Sequence, residues 1–165
     1  MAVKTVSSTL RCDILILGGG SAGAAAAWAA SAPGLSVVLA EKAGRLGGTA
    51  TNGLVSTLCG CYSSLGERRK ISGGARDALA AELKTLGGLD EGVNRETHRS
   101  DICDPELLAC ALDRMVLRTG TDLHLSTLVT GASFDGERLH SVETVNTESG
   151  SRTVILPKIA VDAAG

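Results

Sequence analysis

The sequence predicts an α/β fold built on a parallel sheet, and three observations carry that prediction. A short apolar strand, Cys12–Leu17, runs into Gly18, Gly19 and Gly20 and then an alanine-rich helix. A second apolar run, Ser36–Ala40, follows closely enough for strand, helix and strand to fit one βαβ unit of about 30 residues. The last third reads as short strands separated by turn clusters. With 165 residues and 44% hydrophobic content, the chain is long enough for one domain with its own core.

Each element has its own signal. Cys12–Leu17 is uniformly apolar apart from Asp13, as a strand covered on both faces should be. The helix that follows is expected to end near Ala32, where Pro33 and Gly34 break it. Residues 12–41 thus form the βαβ unit, and 1–11 a flexible N-terminus. From Lys42 to Arg69 the chain is rich in Gly, Ser and Thr and reads as a long functional loop. A helix is predicted over Ala75–Leu86, with Leu79, Leu83 and Leu86 on one face and Gly87 as its stop. Gly88–Cys103 is polar and expected to be exposed, closing a loop and helical segment over 42–103. Asp104 looks like an N-cap and Pro105 a first-turn residue for a helix over Glu106–Thr119. After a short strand at Asp122–Leu125 come Leu128–Phe134, Leu139–Asn146 and Arg152–Leu156, a three-stranded antiparallel meander over 128–156. Ile159–Ala163 is a further buried strand.

Composition removes several classes of function. A net charge of −2 gives no clustered excess of Lys and Arg, so no nucleic-acid partner is expected. Trp28, Tyr62 and Phe134 are the only aromatics, too few for a base-stacking surface. No apolar run approaches the roughly 20 residues of a membrane span, and Met1–Arg11 has no apolar signal core. Five cysteines, at 12, 59, 61, 103 and 110, are an odd count that argues against a disulfide framework. A cytoplasmic protein is the expectation. His98, His124 and His140 are scattered, and no metal site is expected.

Gly18-x-Gly20-x-x-Gly23 sits directly between a strand and a helix, the context in which this pattern holds a dinucleotide. Gly18 allows the tight turn, Gly20 lets a pyrophosphate approach the backbone, and Gly23 lets helix and strand pack closely. The amides near Ser21 and Ala22 face an anion with the helix dipole behind them. Glu41 ends the second strand, where a carboxylate accepts from ribose hydroxyls and repels a 2′-phosphate. A second glycine-rich loop, Gly44–Ala50, follows at once.

With these residues in place the chain resembles the FAD-dependent oxidoreductases. Within that family it is most similar to the group whose second strand ends in E-x-x-x-x-x-G-G-T-A-T, here Glu41, Gly47, Gly48, Thr49, Ala50 and Thr51. Asp104–Leu108 (D-P-E-L-L), Ser126–Val129 (S-T-L-V) and Val161–Gly165 (V-D-A-A-G, with Ala164 where Thr is usual) extend the resemblance along the chain. It implies a Rossmann-like FAD-binding domain with a parallel sheet and a β-meander insertion. It also implies FAD as cofactor and a small-molecule substrate. Gly18, Gly20, Ser21, Ala22 and Gly23 would hold the pyrophosphate, and Glu41 the ribose with Lys42 beside it. Gly47, Gly48, Thr49 and Ala50 would line the path to the flavin, Val129 would meet the adenine, and Ala163, Ala164 and Gly165 would close over the cofactor.

The departures are informative. Ala50 and Val55 stand where the disulfide-reductase branch carries its cysteine pair. Cys59-Gly60-Cys61 is short for an unstrained disulfide, and nothing near it in the sequence lowers a thiol pKa. No catalytic residue is assigned. Family members continue well past the V-D-A-A-G strand, so a truncated N-terminal FAD-binding portion is expected, its substrate domain absent. Two alternatives stay open: a non-catalytic cofactor-binding subunit completed by a second polypeptide or missing C-terminal half, and a plain NAD-binding domain.

Overall fold

The computed structural model describes residues 8–30, 32–63, 67, 69–91 and 100–165. In chain order the elements are β1 (Ser8–Leu17), α1 (Ser21–Ala30), β2 (Val37–Ala40), β3 (Thr57–Leu58), α2 (Ala75–Leu86), β4 (Leu89–Asp90), β5 (Asp101–Cys103), α3 (Pro105–Leu117), β6 (Asp122–His124), β7 (Thr127–Asp135), β8 (Arg138–Asn146) and β9 (Arg152–Asp162). Six strands form one sheet in the order β6-β2-β1-β9-β8-β7. The first four run parallel, while β8 and β7 continue it antiparallel. A small antiparallel sheet, β3-β5-β4, lies apart from it.

The apolar run of β1 is explained by two cores. Ile16 and Leu39 face the helices and pack with Ala24, Ala27, Leu108, Leu112 and Val116. Leu15 and Val38 face the other way, against Val142 and Ile155 of the meander. Alternate side chains are therefore buried on opposite faces, which removes the usual polar alternation. On α1, Gly23, Ala24 and Ala27 form the buried face, small enough for close approach to the sheet.

The helix ends follow the local signals. Asp104 caps α3, its Oδ1 accepting from the amides of Glu106 at 2.8 Å and Leu107 at 3.0 Å, with Pro105 next. Gly87 ends α2 at φ +73, its N–H donating to the carbonyls of Leu83 and Lys84.

Three expectations change. Ser8–Arg11 belongs to β1, not to a flexible tail, because it pairs with Thr153–Leu156. The third meander strand and the closing strand are one continuous strand, β9, which pairs with β8 at its start and with β1 along its length. Pro157 falls past the last β8 pair, Val142–Ile155, so β9 has a single partnered edge there, a setting proline tolerates. The polar stretch Gly88–Cys103 is not uniformly exposed: Asp101 and Cys103 are buried in β5. Asp101 is buried because the Arg76 guanidinium of α2 pairs with it. Residues 92–99, His98 among them, lie outside the described residues. No helix among the described residues is long and apolar enough to cross a membrane.

Candidate cofactor site

The strand–glycine–helix junction shows why each glycine is there. Gly18 turns at φ +97 and donates its N–H to the carbonyl of Ala40 at 2.8 Å. A Cβ on Gly18 would lie 2.5 Å from the carbonyl oxygen of Ala163, and one on Gly23 would lie 1.8 Å from that of Gly18. Gly20 differs, since a Cβ there would meet nothing within 4 Å. Two glycines are required by the fold; the third keeps open the space before the helix N-terminus.

Glu41 is buried at the end of β2, with 6% of its surface exposed. Its Oε2 accepts from the Gly19 amide at 2.5 Å and its Oε1 from the Ala43 amide at 2.7 Å. A carboxylate offers about four acceptor positions, so the side chain is held in place with capacity left for a ligand's hydroxyls. The backbone around it is fixed too: Glu41 donates to the His124 carbonyl and accepts from Thr127.

The second glycine loop folds back onto the first. Gly47 donates to the Gly19 carbonyl at 2.8 Å and forms a parallel bridge with Gly20. A 3-10 turn, Gly48–Ala50, follows. Buried Thr51 donates its hydroxyl to the Leu46 carbonyl at 2.7 Å. Arg45 straps the loop from outside: it donates to Asn52 Oδ1 at 3.0 Å, the Thr51 carbonyl at 3.1 Å and Glu106 at 2.6 Å.

These parts enclose an open cavity of about 430 Å³. It is lined by Gly20, Ser21, Ala22, Glu41, Lys42, Gly47, Gly48, Thr49, Ala163, Ala164 and Gly165, with Ala43 and Asn52 completing the wall. Four residues expected at the site are not on that wall. Gly18 and Gly23 frame it from behind, and Ala50 faces a second cavity instead. Val129 stands 40% exposed on β7, two residues beyond the Thr127 amide that bonds Glu41.

A family profile described as FAD dependent oxidoreductase matches residues 13–165. The chain belongs to this family. Over 43 residues it is 51% identical to a 4-oxocyclohex-2-ene-1-carboxylate 5-dehydrogenase of Sinomonas cyclohexanicum, a match covering 26% of this chain and 7% of that protein. Among solved structures, adenylylsulfate reductase from Archaeoglobus fulgidus aligns with a TM-score of 0.64 and 18% identity over 97% of this chain and 31% of its own. THI4 of Thermovibrio ammonificans aligns with a TM-score of 0.61 and 15% identity over 94% and 58%. The chain therefore spans a minor part of the dehydrogenase, about a third of the reductase and under two thirds of THI4. These structures share the fold.

The family's cofactor, FAD, fits what the residues provide. The space that a Cβ at Gly20 would fill lies before a helix N-terminus, and a fixed carboxylate stands on the same cavity. Sequence reasoning missed Ala43, Arg45 and Asn52, and read Gly19 only as one of the glycines near the dinucleotide; in the structure a Cβ on Gly19 would meet Leu46 at 2.4 Å.

The cysteines need one correction. All five are free. Hydrogen bonding with the Thr57 hydroxyl, two residues away, and then with Ser100 lowers the pKa of exposed Cys59; only the Ser100 part comes from across the β3–β5 pairing and so leaves no mark in the local sequence. Burial pushes the Cys12 thiol up to about 11.

Proposed function

We propose that this chain is the FAD-binding portion of an oxidoreductase that takes a hydride or an electron pair from a small organic substrate. FAD supplies that chemistry when bound; the protein binds it, orients it and shapes its surroundings. Gly20, Ser21 and Ala22 hold the pyrophosphate against the α1 N-terminus, with Gly18 and Gly23 keeping the turn tight. Glu41 takes the adenosine ribose beside Lys42. Gly47, Gly48, Thr49 and Ala50 line the path toward the flavin, Val129 meets the adenine through its backbone, and Ala163, Ala164 and Gly165 close over the cofactor.

The single observation that carries this reading is the shared cavity that eleven of these residues line. The dehydrogenase relative supports a dehydrogenation. The greater length of the relatives supports further polypeptide, in the same chain or a second one, that supplies most catalytic side chains. Five free thiols fit a reducing, cytoplasmic setting.

The test is direct. Purified protein mixed with FAD should retain flavin absorbance through gel filtration and release intact FAD on denaturation. A protein that stays colourless and takes up NAD instead overturns the reading.

A further inference from the structure

A second cavity, of about 390 Å³, lies between α1, α2 and α3. Its walls are mainly apolar, with Ala25 from α1, Leu79 from α2, and Leu112 and Met115 from α3. It adjoins the cofactor cavity: Ser21 lines both, and within the 3-10 turn Thr49 faces one and Ala50 the other. The volume lies within the roughly 300–1,000 Å³ of small-molecule sites.

One charged side chain reaches this apolar space. Arg76 pairs with fully buried Asp101, donates to the Tyr62 hydroxyl at 3.2 Å and lies 5.4 Å from that ring's centre. It also sits 3.4 Å from Asp77, which Lys70 shares at 2.7 Å. Its Nε is buried, and among the described residues it has no hydrogen-bond partner. A buried donor without an acceptor is costly. The two positive charges, on Arg76 and Lys70, are however already answered by Asp101 and Asp77. A ligand carboxylate would add a third negative group with nothing to balance it, whereas a neutral oxygen would satisfy the N–H and leave the balance intact.

We propose that this cavity holds the substrate, a mainly apolar, ring-sized molecule presenting one uncharged carbonyl or hydroxyl oxygen to Nε of Arg76. Naming the ligand a substrate rests on the FAD reading of the neighbouring cavity; its binding does not.

The experiment is calorimetric titration of the full chain, with and without FAD, using cyclohexanone, cyclohexanecarboxylate and cyclohexylammonium. Cyclohexanone should bind about tenfold tighter than either charged analogue, because the ammonium leaves the buried donor unsatisfied and the carboxylate brings an unbalanced charge. Arg76→Lys keeps a cation beside Asp101 but removes the Nε donor, and should lower cyclohexanone affinity about tenfold. Ala25→Leu leaves Arg76 untouched and fills the cavity; it should lower that affinity at least as far while FAD affinity holds, with circular dichroism checking the fold. No cyclohexanone binding, tighter binding of the carboxylate, or an inert Ala25→Leu in the folded protein would each overturn the proposal. Cyclohexanone binding without FAD binding would support this cavity and sink the cofactor reading. FAD binding without cyclohexanone binding would do the reverse.

Discussion

The two cavities share Ser21 and a single turn of chain, yet they are made of different material. The cofactor cavity is walled by glycines, mostly short side chains, Lys42 and one fixed carboxylate. The helix-side cavity is walled mainly by Ala, Leu and Met side chains drawn from three helices. A cavity walled largely by backbone constrains residue type wherever a Cβ would meet neighbouring backbone or fill the space left for the ligand. A cavity walled by side chains asks only for apolar volume, which many sequences supply.

The largest effect that tests this contrast is expected within the first motif. Gly23→Ala puts a Cβ where the Gly18 carbonyl stands, 1.8 Å away, and backbone cannot step aside cheaply. It should cost about 3 kcal/mol of stability or more by urea denaturation. Gly20→Ala meets no protein atom and should leave the denaturation midpoint nearly unchanged. Its methyl group would nevertheless crowd the pyrophosphate, and FAD affinity should fall roughly 10- to 100-fold, the worth of a charged hydrogen bond or two. If both variants lose stability alike, the division between frame glycine and ligand glycine is wrong.

Glu41→Gln should come next. The substitution presents an NH₂ to either the Gly19 or the Ala43 amide, both of which now donate to the carboxylate. One donor is left facing another, at a cost of about 1–3 kcal/mol, and ribose binding loses a charged acceptor. Stability and FAD affinity should therefore fall together, unlike in Gly20→Ala. A Gln variant of unchanged stability would show that Glu41 serves the ligand alone.

The same division explains what could be read from the chain. The glycine motif, Glu41 and the G-G-T-A loop were legible because close backbone approach leaves few residue choices. The helix boundaries at Gly87 and Asp104 were legible because caps are local chemistry. The burial of Asp101 was not, since its partner Arg76 lies 25 residues away and no local pattern links them. The lowered pKa of Cys59 likewise depends in part on Ser100, brought near by the β3–β5 pairing. The continuity of β9 was hidden because Pro157 reads as a strand breaker, and only the pairing map shows one partnered edge at that point.

Asp104→Ala probes the wall that joins the two cavities. Loss of the cap should cost about 1 kcal/mol by thermal or urea denaturation. Glu106 in the first turn of α3 holds Arg45 of the cofactor loop, while Leu112 and Met115 further along line the other cavity. Fraying of that turn should weaken FAD binding slightly, and cyclohexanone binding by a similar amount, because Leu108, whose amide donates to the Asp104 carbonyl, also lines the helix-side cavity. A larger loss at the helix-side cavity would mean that α3 moves as one body.

The smallest effect is expected at Asp13, at the start of the parallel sheet, among residues that line neither cavity. Lys158 lies 2.6 Å from its carboxylate, and the Ser36 amide and hydroxyl each donate to it at 2.8 Å, tying β1 to the approach to β2. Lys158 first, and then Ser36, hold the Asp13 carboxyl well below the usual range, while Asp13 raises the Lys158 ammonium. The signs follow from linkage. A depressed acid contributes stability that is complete above its unfolded value, about pH 4, and is lost as pH falls. A raised base contributes stability that is complete below its unfolded value, about pH 10.4, and is lost as pH rises. Lys158→Met should therefore lower the melting temperature slightly on the plateau between those limits, and the gap to the parent should close toward either limit. Because Lys158 is 75% exposed, added salt should also close it. FAD and cyclohexanone affinities should not change; if either does, the sheet couples its two ends, and the cavities cannot be treated as properties of their own walls.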